Sequence, residues 1–326
     1  MTPEEPPTVT EQALPWGEAG IFDFGKAARP NVEYFNCSLV TRSDGDWLIT
    51  RRSVWMAGVA LGQNDIVAFL LDDNLVPQHG IKVFIPAWHR KEHFEDPRAV
   101  MHNGQIWISA CSFVWWGTGW TGAHQVMSSV DDRWAATARV DPVYGKNGPT
   151  IYTGSGNEKN WLWFFHNNRP HLVYWATPHT VVEFDEHFSM VKEHKTATEL
   201  NWHWGEIRGG TPPVLVDNEY WTFFHSSTPW QNGRRRYHMG VYAFQSKPPF
   251  AITRISSKPL LTGSTREWWN TNKLPCVFPC GAIVRHGEWL ITFGVNDMAS
   301  GYLKVPHKTL AGKTPRLKPK AEMAMA

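Results

Sequence analysis

The stretch Asp96-Pro-Arg-Ala-Val-Met-His-Asn-Gly-Gln-Ile-Trp107 is a short apolar segment, a polar turn and a second apolar segment that contains an aromatic residue. An Asn-Gly pair between two strand-sized apolar runs is typical of a tight β-hairpin. The pattern occurs five times. We call the aromatic residue or histidine near the start of the second apolar segment the anchor, and in each copy it follows the first residue of the pattern by 11 positions. The paired positions are 36 and 47, 96 and 107, 160 and 171, 210 and 221, and 278 and 289.

The distance between these hairpins predicts the architecture of the chain. Consecutive anchors are 50 to 68 residues apart, which is the range expected when one small antiparallel sheet is repeated radially. We therefore predict an all-β chain that forms a single-domain five-bladed β-propeller. A chain of 326 residues, with 42% apolar and 19% charged residues, is long enough to bury the core of such a domain.

The two ends of the chain differ in composition from the repeats. Residues 1–30 are rich in proline and contain one apolar patch, Ile21-Phe-Asp-Phe24, that could pair with the last blade and close the ring. We assign the propeller to residues 31–305. Residues 306–326 alternate basic residues with small residues and prolines, and we expect a flexible basic tail there.

Charge and hydropathy argue against several classes of function. The 32 basic and 30 acidic residues leave a net charge of +2, so no overall field favours a nucleic-acid or membrane partner. The uncharged stretches are too short to span a bilayer and the first residues do not resemble a signal peptide, so we expect a cytoplasmic protein. Four cysteines without paired metal-ligand spacing are expected to be buried free thiols. The sequence predicts neither a metal nor an organic cofactor.

The repeat also predicts the position of a functional site. The first strand of each propeller blade lines the central channel, so residues at the starts of these strands gather at one mouth of it. Uncompensated charge in a narrow channel is costly unless it is paired or used. In Phe94-Glu-Asp-Pro-Arg98, Pro97 favours a strand start and leaves Asp96 at the mouth, although Asp96 could merely pair with Arg98. Polar residues at these starts include Asn36, Glu95, Asp96, Arg98, Glu158, Lys159, Asn160 and Arg208.

Aromatic and cationic residues suggest a carbohydrate and a phosphate as ligands. Trp115, Trp116 and Trp120 lie in a Gly-rich loop with little apolar sequence around them, so their rings could face a sugar, plug a gap between blades or contact another subunit. A phosphate needs two or three cationic donors that converge on its oxygens. The candidates are Lys159, Arg208, Arg234, Arg235, Arg236 and His238, with Tyr237 among them, although the arginine run could also be a solvated loop.

Four motifs in this order resemble glycoside hydrolase family 130, the β-mannoside phosphorylases and β-mannosidases. They are Glu95-Asp-Pro-Arg98, Gly210-Thr-Pro-Pro213, Tyr237-His-Met-Gly240 and Val277-Phe-Pro-Cys-Gly281, the last followed by Gly294-Val-Asn-Asp297. The resemblance covers blades two to five and implies a five-bladed propeller that cleaves with inversion. It also implies that Asp96 is the single general acid, acting through the 3-hydroxyl of the sugar, and that Asp297 holds the sugar at the cleaved bond.

Departures from the family's phosphorylase pattern leave the reaction open. Glu206 and His238 stand where phosphorylases usually have a cation. In a phosphorylase, inorganic phosphate would be the co-substrate and Lys159, Arg208, Tyr237 and His238 would bind it. In an inverting hydrolase, Glu206 or Glu158 would activate water. A third possibility is a sugar-binding propeller without catalysis.

In each case we expect an oligosaccharide or glycoside as the partner, and a homo-oligomer is possible. The expected substrate-binding residues are Asn36, Arg51, Glu95, Arg98, Trp116, Asn160, His179, His225 and Asp297.

Overall fold

The structure is a computed structural model that describes residues 13–14, 16–25, 29–54, 63–87, 92–114, 123–141, 158–264 and 275–317. Within these ranges, 22 β-strands and one α-helix were identified. The strands form five antiparallel sheets that are arranged as a five-bladed β-propeller. The predicted fold class and the number of blades are confirmed.

The first described strands are β1 (Ala13–Leu14) and β2 (Gly17–Ile21), which join the last blade. Blade one contains β3 (Val32–Arg42), β4 (Gly45–Val54), β5 (Gln63–Leu71) and β6 (Pro77–Val83). Blade two contains β7 (Glu92–His102), β8 (Gln105–Val114), β9 (His124–Val130) and β10 (Ala136–Val140). Blade three contains β11 (Leu162–His166), β12 (Arg169–Ala176), β13 (His179–Phe184) and β14 (Met190–Thr196).

Blade four contains β15 (Val214–Val216), β16 (Glu219–Pro229), β17 (Arg235–Gln245) and β18 (Ile252–Ile255), and the short β19 (Leu261–Thr262) also pairs with β17. A single 3-10 turn at Gln231–Gly233 connects β16 to β17. Blade five contains β20 (Val277–Arg285), β21 (Glu288–Val295) and β22 (Ala299–Pro306), followed by the helix α1 (His307–Lys313).

The five repeated segments are the inner hairpins of the five blades, as predicted. In blades two to five both turn residues have a positive φ, which a type I′ turn requires and which Asn, Asp and Gly tolerate best. These turns are 103–104, 167–168, 217–218 and 286–287. The first strand of each hairpin faces the channel, and β3 packs against both β7 and β20.

The fifth copy of the repeat is shifted by one residue relative to the others. Trp47, Trp107, His171 and Trp221 are each the third residue after the hairpin turn. Trp289 is only the second, because β20 and β21 close with Arg285 opposite Glu288. Leu290 therefore occupies the equivalent place in blade five, and the equal spacing of that copy in the sequence does not reflect equal structure.

Apolar side chains fill the interfaces between neighbouring blades. One cluster joins blades one and two through residues such as Ile49 and Ile108, and another joins blades four and five through Phe223 and Phe293. Tryptophans contribute much of this packing, since Trp134, Trp163, Trp221 and Trp289 are less than 2% exposed. The four cysteines are buried and free, as expected.

Both ends of the described chain pack against the propeller. Ile21 pairs with Gly301 and the Phe22 N–H donates to the Ser300 carbonyl at 2.9 Å, which confirms that the N-terminal apolar patch joins the last blade. At the other end the structure differs from the expected flexible tail. Leu310 of α1 is buried in the core between blades four and five, and the Leu317 N–H donates to the Thr253 carbonyl at 2.8 Å. Residues 318–326 lie outside the described ranges.

No helix among the described residues is both long and apolar enough to cross a membrane.

Candidate active site

The inner strands bend at the positions where the sequence places polar residues. A β-bulge interrupts the inner hairpin register in blades one, two and five. Asn36 and Asp96 lie at the bulges inside β3 and β7, Asn160 precedes β11, and their φ angles are 51°, 52° and 64°. Asn and Asp enter this left-handed region more readily than other residues with a side chain. Because a bulge redirects side chains, Asn36 and Asp96 can leave the strand pattern and point into the site. The predicted strand start at Pro97 is wrong, because β7 begins at Glu92 and the bulge takes Asp96 and Pro97 out of the pairing.

Asp96 is held by two neighbouring donors. Asn36 Nδ2 donates to Asp96 Oδ1 at 2.7 Å, and Arg51 Nη1 lies 3.5 Å from the same oxygen. Burial acts to raise the pKa of Asp96. The charge of Arg51, the hydrogen bond from Asn36 and the charges of Arg98 and Lys159 lower it by more, so the net pKa lies below its usual range. Asp96 is therefore a carboxylate at neutral pH, and 15% of its side chain remains exposed.

Glu95 differs from its neighbour in its electrostatic surroundings. Its Oε1 lies 2.6 Å from Arg51 Nη2 and accepts a hydrogen bond from Asn64 Nδ2 at 3.2 Å. Burial raises the pKa of Glu95, Arg51 opposes this and Asp96 adds to it, so the net pKa is above the usual range. Two adjacent carboxyls thus share Arg51 but have different proton affinities.

Asp297 lies near the same group of charges. It belongs to the turn between β21 and β22 and has a φ of 53°. Burial acts to lower the pKa of Arg51, but the negative charges of Glu95, Asp96 and Asp297 outweigh burial, so the net pKa is raised. The structure therefore brings the predicted residues Asn36, Arg51, Asp96 and Asp297 together from blades one, two and five.

Arg98 lies beneath the site and is only 1% exposed. Its Nε donates to the Gly210 carbonyl at 2.6 Å, its Nη1 to the Asp96 carbonyl at 3.1 Å and its Nη2 to Asn160 Oδ1 at 3.2 Å. It was expected to bind substrate, but it is buried, and each of its three nitrogens donates to a group of blade two, three or four. Arg98 is therefore a positioning residue that fixes the blades around Asp96.

A cavity of about 320 Å³ opens in blade four. It is lined by Glu206, Arg208, His225, Ser227, Arg235 and Tyr237. Glu206 Oε2 accepts hydrogen bonds from Arg208 Nε at 3.1 Å and from Arg208 Nη2 at 2.8 Å. Arg235 Nε donates to Ser227 Oγ at 2.7 Å. Two guanidinium groups and one carboxylate therefore face the same space.

His225 and Tyr237 form the deeper wall of this cavity, which we call the arginine cavity. The His225 Nδ1–H donates to the Gly209 carbonyl at 2.8 Å, and burial lowers the pKa of His225 to about 3. The ring is therefore neutral, and its unprotonated Nε2 can accept a hydrogen bond from a hydroxyl group. Tyr237 stacks on His225 with ring centroids 5.9 Å apart, and burial raises the pKa of Tyr237, so its phenol stays protonated.

A second cavity, of about 460 Å³, lies on the other side of Arg208, and we call it the tryptophan cavity. It is lined by Lys159, Asn160, Tyr174, Trp175, Ala176, Ile207, Arg208 and Gly209. Burial acts to lower the pKa of Lys159, but Cys111, Glu95 and Asp96 outweigh it, so the net pKa is raised and Lys159 is an ammonium ion. The two cavities share Arg208.

Two predicted histidines do not reach either cavity. His238 follows Tyr237 on β17 and points to the opposite face of the sheet, where its nitrogens lie 2.9 Å from Thr228 Oγ1 and 3.0 Å from Thr262 Oγ1. His179 is 1% exposed between blades three and four, and its Nδ1–H donates to the Phe250 carbonyl at 2.8 Å. Both residues are therefore part of the packed interior and not of the site.

Two other predictions have different outcomes. Glu158, the alternative base, accepts hydrogen bonds from Trp161 Nε1 at 3.1 Å and from the Tyr174 hydroxyl at 3.3 Å, so both of its oxygens have protein donors. Trp116, with Trp115 and Trp120, lies outside the described residues.

Two cavity residues that were not assigned to the predicted site carry much of its chemistry. Arg235 was a candidate cation but was not assigned to the phosphate site, and Trp175 was not singled out. Strand alternation could have selected Arg235 from the arginine run, because it lies two residues before Tyr237 and so shares its face. Arg236 turns away, stacks on Trp230 at 4.6 Å and donates to the Gly263 carbonyl. Trp175 follows a register shift in β12 that has no clear sequence signal.

Among the described residues, no group of three or more His, Cys, Asp or Glu side chains is placed to hold a metal ion.

The sequence matches no protein-family model and no curated protein. Solved structures nevertheless share its fold along almost the full length. The β-1,2-mannobiose phosphorylase from Listeria innocua, in complex with β-1,2-mannobiose, superposes with a TM-score of 0.64 at 12% identity, over 89% of this chain and 94% of that one.

A second similar structure comes from the GH130 family of mannoside phosphorylases, which contains glycoside hydrolases that target β-1,2 mannosidic linkages in Candida mannan. It has a TM-score of 0.64 and 11% identity over 97% of this chain and 99% of that one. A GDP-Man-dependent mannosyltransferase from Leishmania mexicana has a TM-score of 0.57 and 14% identity over 89% and 90% of the two chains. This protein therefore has the propeller fold of the family that its motifs resemble, at low sequence identity.

Proposed function

We propose that this protein is an inverting enzyme that cleaves, or in reverse forms, a β-mannosidic linkage by phosphorolysis. The observation that carries the proposal is the arginine cavity, where Arg208, Arg235 and the Tyr237 phenol face one space of about 320 Å³. Guanidinium groups match the geometry of phosphate oxygens, and a phenol adds a neutral donor. The phosphorylase with the same fold, solved with β-1,2-mannobiose, supports a β-mannoside as the substrate.

In the proposed reaction, phosphate attacks the anomeric carbon from the face opposite to the leaving sugar. A new bond forms between this carbon and a phosphate oxygen while the glycosidic bond breaks. The leaving oxygen receives a proton that originates at Asp96 and passes through the 3-hydroxyl of the mannose. The products are α-mannose 1-phosphate and the free second sugar, so no second carboxylate is needed to activate water.

The role of Asp96 requires a change in its protonation when the ligands bind. In the free protein its pKa is low because Arg51 and Asn36 stabilise the carboxylate. A bound sugar excludes water from the site, and a bound phosphate brings negative charge close to Asp96. Both effects raise the pKa of a carboxyl, so substrate and phosphate together favour the protonated form that can act as an acid. Asn36, Arg51 and Asp297 then bind sugar hydroxyls.

Hydrolysis is the second candidate, because the Glu206 carboxylate also lines the arginine cavity and its side chain is 51% exposed. A general base must offer a free lone pair to water. In the structure, both bonds from Arg208 fall on Glu206 Oε2, so Oε1 can still accept a hydrogen bond from water. We place phosphorolysis first because an arriving phosphate can replace this carboxylate on Arg208.

The test is the initial rate of β-1,2-mannobiose cleavage at increasing concentrations of inorganic phosphate. We expect a saturable dependence on phosphate. Arg235→Ala should raise the KM for phosphate at least 10-fold and leave the KM for the disaccharide within about 2-fold. Arg169→Ala, which removes an arginine that is 58% exposed in blade three, is the matched control. A cleavage rate that does not depend on phosphate would instead support hydrolysis.

A sugar phosphate is a charged product that a cell retains, so the proposal also favours a cytoplasmic location.

A further inference from the structure

We infer that the tryptophan cavity is the subsite of the second sugar, the one that leaves during cleavage, and that its ring stacks on Trp175. This inference rests on the proposed function, because it names where the leaving sugar binds. Its starting point is an indole ring that is 43% exposed in the wall of a cavity of about 460 Å³. That volume is within the range of small-molecule sites.

The exposure of Trp175 contrasts with the packing of other tryptophans in this chain. Trp134, Trp163, Trp221 and Trp289 are less than 2% exposed and fill blade interfaces. Trp175 lies in β12 just after a register shift that begins at Val173. Such irregularities redirect side chains and are frequent next to binding sites. A large apolar ring turned towards a cavity gains free energy when a ligand covers it.

The chemistry of the cavity wall fits a sugar ring. Trp175, Tyr174 and Ile207 offer apolar surface, whereas Lys159, Asn160 and Arg208 offer polar groups at its edge. A pyranose has the same division, with C–H groups on its faces and hydroxyl groups around its rim. The indole can cover the C–H face while the polar side chains bind the hydroxyls.

The shape of the aromatic wall favours a sugar over a nucleotide base. The rings of Tyr174 and Trp175 have centroids 6.4 Å apart and meet at 38°. They therefore form a bent surface and not a slot with two parallel faces. A chair-shaped ring follows a bent surface better than a flat base does.

The position of the cavity relative to Asp96 fits the subsite of a leaving sugar. Asn160 lines the cavity, and its Oδ1 accepts a hydrogen bond from Arg98, which also binds the Asp96 carbonyl. Arg208 lines both this cavity and the arginine cavity. A ring on Trp175 would thus lie next to Asn160, which Arg98 connects to Asp96, and next to Arg208, which also lines the proposed phosphate site.

Binding can be measured without turnover in a protein that carries Asp96→Asn, by calorimetric titration with β-1,2-mannobiose. We expect Trp175→Ala to weaken binding at least 10-fold and Trp175→Phe to restore part of it. Trp230→Ala is the matched control, because Trp230 is 37% exposed but stacks on Arg236 outside both cavities; it should leave binding within about 2-fold. Unchanged binding in Trp175→Ala, or no binding to the parent protein, would overturn the inference.

Kinetics of the synthetic direction provide the second test, with α-mannose 1-phosphate as donor and mannose as acceptor. Trp175→Ala should raise the KM for mannose at least 10-fold and leave the KM for the donor within about 2-fold. A rise in the donor KM alone would contradict the assignment. If Trp175→Ala weakens binding of GDP-mannose and not of the disaccharide, the cavity takes a nucleotide and the inference is wrong. Trp175-dependent disaccharide binding without any phosphate-dependent turnover would refute only the proposed function.

Discussion

At the scale of single residues, Asp96 and Arg98 show what a motif can and cannot predict. The Glu-Asp-Pro-Arg motif predicted a strand start at Asp96, but β7 begins at Glu92 and Asp96 lies at a bulge within it, where Arg51 and Asn36 hold its carboxylate. Arg98 is nevertheless 1% exposed and bonds to three blades. His179 and His238 were also expected in the site but are buried elsewhere. Residue type and order indicate which part of an inner strand is polar, whereas burial and strand alternation decide which side chains are open to a ligand.

Glu206 separates the two proposed reactions at the level of one side chain. In a phosphorylase it only pairs with Arg208, so Glu206→Gln should keep kcat for phosphorolysis within about 3-fold of the parent. In a hydrolase it is the general base, whose loss costs roughly 10²–10⁴ in rate. Glu206→Gln and the parent protein are compared by the rate of disaccharide loss with and without phosphate. Glu183→Gln, which disrupts the ion pair with the partly exposed Arg169, is the control and should change neither rate.

His179 makes the stability of the protein depend on pH. Burial lowers its pKa in the folded state to about 4, whereas the unfolded value is about 6.5. Between these values the unfolded chain binds more protons, so stability is lost as the pH falls from 6.5 towards 4. From pH 7 to pH 5 this group accounts for a loss of about 2 kcal/mol in the free energy of unfolding.

The check is urea unfolding at pH 7 and pH 5. His179→Gln should lose about 2 kcal/mol less than the parent protein over this interval. His187→Gln is the control, because the His187 side chain is 81% exposed, and it should behave like the parent. Equal pH dependence in the parent and in His179→Gln would contradict the assignment of a buried neutral histidine.

At the scale of strands and hairpins, periodicity predicted the five inner hairpins and missed their irregularities. The turn residues and the apolar alternation mark each hairpin in the sequence. The bulges at Asp96 and before Trp175, in contrast, depend on the contacts of each strand with its neighbours. The same limit explains why the sequence repeat makes Trp289 equivalent to Trp47. Trp289 is the second residue after its hairpin turn, whereas Trp47 is the third.

Gly281 tests the contact between the inner strands of blades five and one. A Cβ atom at Gly281 would lie 2.3 Å from Leu39 N and 2.7 Å from Ser38 Cα, which are backbone atoms of β3. Gly281→Ala must therefore separate the two strands, and we expect a loss of about 1–3 kcal/mol in the free energy of unfolding. Chemical denaturation gives this value.

Gly312→Ala is the matched control for that substitution. Gly312 lies in α1, and apart from its chain neighbours and the backbone of its own helix no atom lies within 4 Å of where its Cβ would be. Alanine is the better helix former, so this variant should be neutral or more stable by up to about 1 kcal/mol. If Gly281→Ala were as stable as Gly312→Ala, the close approach of blades one and five would be incorrect.

At the scale of the whole molecule, the ring closes through pairing between strands from both ends of the chain. β2 pairs with β22, and Leu14 in β1 is 6% exposed within the core between blades four and five. Leu14→Ala should lower the free energy of unfolding by about 2 kcal/mol or more, because it leaves a cavity. Ile21→Ala, at a position that is 39% exposed, should change it by no more than about 0.5 kcal/mol. Equal losses in the two variants would show that the N-terminal segment does not contribute to this core.

The architecture of the molecule was more predictable than its chemistry. The number of blades follows from a repeat that the sequence shows directly, and the closing role of Ile21 follows from its apolar neighbours. The two cavities depend on the approach of Lys159 and Arg208 from different blades, which no local pattern encodes. The structure also shows that residues 307–317 pack against the propeller, because the buried Leu310 anchors a short helix in an otherwise basic stretch.

The measurement that tests the central claim most directly is mass spectrometry of the products from β-1,2-mannobiose, with and without inorganic phosphate, for the parent protein and Asp96→Asn. Asn keeps the size of the side chain and tolerates the φ of 52° at this position, so the substitution removes the acid with little backbone strain. We predict a mannose 1-phosphate that forms only with phosphate and only in the parent protein. Free mannose as the sole product in both conditions, or equal product from Asp96→Asn, would contradict phosphorolysis with Asp96 as the acid.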